Sequence, residues 1–169
     1  FNFKLLDTGI QAKFKLNNAD KYSGTSKINM SNNLLRFDYR INNNQLELIK
    51  SNFRNKDVSF SLDSIVKFNP FFSIYSNINI NEIDKNLINN LSLEKILTNK
   101  EIIKKLNSKI KITYKGKKYF TEVIESYTSD LNLAYGRIDF TNKFLIAGNK
   151  INCKGDSILT DEFPRLNFI

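Results

Sequence analysis

Apolar side chains recur at every second position over most of the chain. Ile10, Ala12, Phe14 and Leu16 form one such run, followed by Leu35, Phe37, Tyr39 and Ile41, by Val58, Phe60 and Leu62, and by Phe72, Ile74, Ile78 and Ile80. Successive strand residues point to opposite faces, so a period of two predicts strands with one apolar and one polar face. Between the runs lie Asn17-Asn18-Ala19-Asp20, Asn42-Asn43-Asn44 and Asn55-Lys56-Asp57. Asn and Asp tolerate left-handed backbone and bond their own main chain, so these segments read as turns. Strands and turns alternating about every 10–14 residues describe an antiparallel meander.

From Glu82 to Leu106 the period changes. Ile83, Leu87, Ile88 and Leu91 fall on one helical face, followed by Leu93, Ile96 and Leu97 and then Ile102, Ile103 and Leu106. Helical spacing predicts two or three short helices here. Thr98-Asn99-Lys100-Glu101 fits a capping box, in which Thr98 accepts from first-turn amides and Glu101 reaches back. The apolar face of these helices is expected to cover one end or edge of the sheet.

Alternation resumes at Ile110, Ile112 and Tyr114, and continues through Tyr119, Val123 and Tyr127 set against Phe120 and Ile124, through Leu131, Leu133 and Tyr135, and through Ile151 and Cys153. Lys115-Gly116-Lys117-Lys118 reads as a solvated hairpin tip between two such segments. Residues 1–169 are therefore expected to be a single β-rich domain or a fragment of a longer protein. Its fold class is mainly β (α+β), an antiparallel meander or curved sheet of long strands. Strands fill 1–80 and 108–169, with the short helical insertion near 82–106. Phe1 at one end, and Leu166-Asn167-Phe168-Ile169 reading as a strand at the other, suggest a piece excised from something longer.

Composition adds 14 Phe and 7 Tyr to bury and narrows the chemistry. With 0 His there is no imidazole for a metal or a general base, and one cysteine, Cys153, gives neither a disulfide nor a zinc site. Cys153 alternates with its neighbours as a buried strand residue would. No metal, no cofactor and no catalytic residue is expected. Paired carboxylates are the remaining catalytic option, namely Asp156 with Asp161 and Glu162, or Asp130 with Asp139. The expectation is that these acids are solvated and that the chain is not an enzyme.

The net charge of +9 suits an anionic partner. However, 21 of the 26 cations are Lys, beside 25 Asn and 21 Ile, which is the signature of A/T-rich codons. The cations also form no Arg-rich stripe interleaved with aromatics, so nucleic acid is not the expected partner. The longest charge-free run, Phe68 to Asn81, is too short and polar to span a bilayer.

A sheet with one apolar face hides it against a second sheet, under helices, or by holding an apolar ligand. On the last reading Phe14, Phe37, Tyr39, Phe60, Phe72 and Ile74 line a groove for acyl chains, and Lys115, Lys117 and Lys118 form a basic rim. A closed structural β-domain and a binding module for an anionic polymer are the alternatives.

Three stretches carry a family resemblance: Leu106-Asn107-Ser108-Lys109-Ile110-Lys111-Ile112, Ser129-Asp130-Leu131-Asn132-Leu133-Ala134-Tyr135-Gly136-Arg137-Ile138, and Ala147-Gly148-Asn149-Lys150-Ile151. Across about residues 82–168 the chain resembles the AsmA-like superfamily of bacterial envelope proteins. Asn149 stands where the family often has a second small residue. The resemblance implies part of a long periplasmic protein, anchored in the inner membrane by segments not in this chain. Its hydrophobic groove would hold phospholipid or conduct it toward the outer membrane, without enzymatic chemistry.

Overall fold

A computed structural model of the chain describes residues 2–5, 10–17, 22–30, 32–84, 104–115, 124–162 and 164–168. Its strands are β1 (Asn2–Leu5), β2 (Ile10–Leu16), β3 (Ser23–Met30), β4 (Asn33–Asn42), β5 (Gln45–Arg54) and β6 (Val58–Lys67). They continue with β7 (Ser73–Ile83), β8 (Asn107–Lys115), β9 (Ile124–Ala134), β10 (Arg137–Ile146), β11 (Asn149–Ile158) and β12 (Asn167–Phe168). All belong to one sheet in which spatial order follows chain order from β1 to β12. Neighbours are antiparallel except β7 and β8, which run parallel.

The Asn-rich turns work as their chemistry requires. Asn55 Oδ1 accepts from the backbone N–H of Asp57 at 2.8 Å and of Val58 at 2.7 Å, local bonds that close β5 onto β6, and its Nδ2 donates to Asn33 Oδ1 at 3.1 Å. Asn43 and Asn44 form the two-residue link from β4 to β5. Two further two-residue links have both central residues at positive φ: Tyr135 (49°) with Gly136 (91°), and Ala147 (47°) with Gly148 (76°). That backbone matches the twist of the flanking strands. Tyr135, expected to continue a strand, is instead the first residue of a turn.

The helical reading of 82–106 needs correction at its edges. Glu82 and Ile83 belong to β7, because Asn81 is an extra residue that restores Ile83 to the face of its partner Val58. Asp84 N–H then donates to the Asp57 carbonyl at 2.6 Å. Lys104 and Lys105 form a turn before β8, and the described residues contain no helix. The capping box at Thr98–Glu101 and the rest of the expected helices, at 85–103, lie outside the described residues. So do Gly116, Lys117 and Lys118 of the expected hairpin tip, although Lys115 ends β8 and β9 does pair antiparallel to it.

Register sorts the side chains into two faces. One carries the apolar half of nearly every strand; the other carries mostly Lys, Arg, Asp, Glu, Asn and Thr, with Ile49, Ile65 and Tyr75 among them. Among the described residues no second layer encloses the apolar face. Among the described residues, Ala12, Tyr114 and Leu159 are accordingly the buried hydrophobic ones. The larger apolar side chains are half-buried, leaning on one another across strands.

Candidate functional site

The apolar face is built around one ladder. Leu35, Phe53, Phe60, Ile80, Tyr114, Tyr127 and Phe144 are successive register partners on β4 to β10. Phe53 stacks on Phe60 with ring centroids 5.0 Å apart, and Tyr127 meets Phe144 at 4.9 Å. Such pairs add about 0.5–1.5 kcal/mol to the area they bury. The next two rows mix small and large residues. Ser51 and Ser129 sit in one, beside Leu62, Ile78 and Ile112, and Ser64 pairs with Ser76 in the other. These serines are roofed by their larger neighbours. Ser51, Ser64 and Ser129 are buried, and the Ser64 and Ser76 hydroxyls bond each other at 2.7 Å.

The residues expected to line a groove fall on this face. Phe14 on β2, Phe37 and Tyr39 on β4, Phe60 on β6 and Ile74 on β7 share it through register. Phe37 and Tyr39 meet edge to face at 6.4 Å. Phe72 precedes β7 and is exposed. The apolar ladder contains Phe53 and Phe144, which the sequence pattern did not single out, and Tyr127, which it placed in a strand but not in a groove. Of the expected basic rim, Lys115 lies at the end of β8, exposed, and its alternation puts it on the polar face. Cys153 lies in β11, half-buried, in register with Asn142 on the apolar face.

A cavity of about 1040 Å³ opens on the other face. Most of its lining comes in threes, such as Asp63-Ser64-Ile65 and Lys109-Ile110-Lys111, whose outer two residues lie on this face by register. It crosses seven strands from β5 to β11. The acids Glu47, Asp63, Asp130, Asp139 and Asp156 line it together with the cations Lys109, Lys111, Arg137 and Lys154. The charges nearly cancel here, so the chain's positive excess lies elsewhere.

The carboxylate pairs suggested by sequence are partly regrouped. Asp139 and Asp156 are direct register partners, with Asp130 diagonal to Asp139. Asp139 is held by Arg137 Nε at 3.5 Å and by Asn132 Nδ2 at 3.5 Å, and Asn167 Nδ2 donates to Asp156 at 3.5 Å. Asp161 and Glu162 follow β11 in an exposed turn. Among the described residues no group of three or more His, Cys, Asp or Glu is placed to hold a metal ion.

No family model matches the chain, and no curated protein or solved structure matches it significantly.

Proposed function

We propose that the chain is a non-enzymatic lipid-holding module of the bacterial envelope, one part of a longer, membrane-anchored periplasmic protein. Its apolar sheet face takes the acyl chains of phospholipid. The observation that carries this reading is the state of that face. A ladder of large side chains runs unbroken across seven strands, yet few hydrophobic residues are buried among those described. Apolar surface left in water is unfavourable by about 25 cal/mol per Å², and each acyl methylene laid on it recovers about 0.8 kcal/mol. The rows beside the ladder, which carry Leu62, Ile78 and Ile112 in one and Ile110 and Leu131 in the other, give an extended chain an apolar track along which to lie. The resemblance of residues 82–168 to the AsmA-like superfamily points the same way.

Native mass spectrometry of the purified protein, with organic extraction and lipid identification, tests the proposal. Phospholipid is expected to co-purify, and Phe60→Asp, which puts a charge at the centre of the ladder, is expected to lose most of it. Circular dichroism should show the sheet intact, and Phe37→Asp provides a second variant away from the ring stack. A lipid-free mass with no uptake of added phospholipid would overturn the reading.

A further inference from the structure

We propose that the polar face of β2 to β5 holds a site for a phosphate-bearing group of head-group size, built by Lys13, Lys15, Lys27, Arg36 and Lys50. Lys13, Lys27 and Arg36 are direct register partners on three adjacent strands. Like charges set opposite one another destabilise a sheet. Among the described residues none of the three forms an ion pair that would relieve the repulsion. Two adjoining hollows of about 490 and 450 Å³ open beside them, and Asp38 is the acid in their lining. Thr25 and Asn52 add neutral hydrogen-bonding groups to the smaller hollow.

Lys50 supplies the second, independent observation. It is an extra residue in β5, where pairing with β4 and β6 skips a step, and its φ is 51°. Left-handed backbone is costly for a side chain with a Cβ, and a bulge interrupts the ladder. Without Lys50 the alternation Leu46, Leu48, Ser51, Phe53 would be unbroken, so neither strand pairing nor the apolar face needs this residue. Its presence adds one more lysine to the lining of both hollows. The Lys50 N–H is fixed by Asp63 Oδ1 at 3.0 Å.

Several ammonium groups and one planar guanidinium suit an anion with many oxygens, and the Arg fork fits phosphate in particular. A long polyanion does not fit, because the basic run stops at β5 and the hollow beyond it is charge-balanced. The site lies on the face opposite the acyl-chain track and does not rest on that reading.

Calorimetric titration with inorganic pyrophosphate, alongside co-sedimentation with phosphatidylglycerol and with phosphatidylcholine vesicles, tests the site. The wild-type chain is expected to bind pyrophosphate or the anionic vesicles but not the neutral ones. Binding to pyrophosphate alone assigns a soluble phosphate compound, and binding to anionic vesicles assigns a lipid head group. Lys27→Gln with Arg36→Gln should weaken binding roughly tenfold for each cation removed, without lowering the unfolding temperature. Deleting Lys50 should weaken it as well with the sheet retained, and Asp38→Asn should tighten it. No binding in either arm, or binding unaltered in the double variant, overturns the proposal.

Discussion

Among the described residues three serines on the apolar face, Ser26, Ser51 and Ser129, are buried at an energetic disadvantage. Ser51 and Ser129 are 1% and 0% exposed, and their hydroxyls have no hydrogen-bond partner. A buried hydroxyl left unsatisfied costs about 1–3 kcal/mol, part of which its removal returns. Ser51→Ala and Ser129→Ala are therefore expected to raise stability, each by about 1 kcal/mol, in urea or thermal unfolding. Ser64 gives the opposite sign. Its hydroxyl bonds that of Ser76, so Ser64→Ala orphans a partner and should lower stability by about 1 kcal/mol. A loss of stability on replacing Ser129 would mean that its hydroxyl is satisfied after all.

At the level of elements, the two turns with positive φ differ in how far their sequences suit them. Gly148 is followed by Asn149, whose Nδ2 donates to the Ala147 carbonyl at 3.2 Å, and Glu125 accepts from the Gly148 N–H at 2.8 Å. Ala147 itself is poorly chosen for φ 47°, where Asn is favoured. Ala147→Asn should raise stability by about 0.5–1 kcal/mol. Gly136 cannot be replaced so cheaply. Its φ is 91° and Thr160 occupies the space a Cβ would need, so Gly136→Ala should destabilise by more than 1 kcal/mol or so, read in the same unfolding experiment. These turns also show what could be read without coordinates. Asn55 closes its link by bonds to residues two and three along, and local chemistry of that kind is visible in sequence. β3 was not, because its apolar-face positions are Gly24, Ser26, Ile28 and Met30, so large apolar residues occur only in its second half. β5 was not, because Lys50 shifts the phase of its alternation. Phe37, Phe60 and Ile74 could each be given a face within its own strand. That the faces coincide, and that Lys13, Lys27 and Arg36 meet, depends on register between strands, which periodicity does not contain.

For the molecule as a whole, the two proposed sites occupy opposite sides of one layer, and this arrangement has a measurable consequence. Phe60 lies on β6 on the apolar face, and Lys27 and Arg36 lie on β3 and β4 on the polar face. Strands are about 4.8 Å apart, so Phe60 is about two spacings from Arg36 and faces the other way. Sites that distant without shared partners combine within about 0.5 kcal/mol of additivity. The Lys27→Gln and Arg36→Gln double variant should therefore retain co-purified phospholipid as the wild type does. Phe60→Asp should keep its affinity for pyrophosphate, and the triple variant should show both losses with no added interaction. Salt separates them further. At 1 M the screening length falls to about 3 Å, which removes most of the attraction between exposed cations and an anion while leaving apolar burial in place. Loss of lipid in the double variant would instead mean that one ligand engages both faces, its chains on the ladder and its phosphate carried round a sheet edge to the basic row.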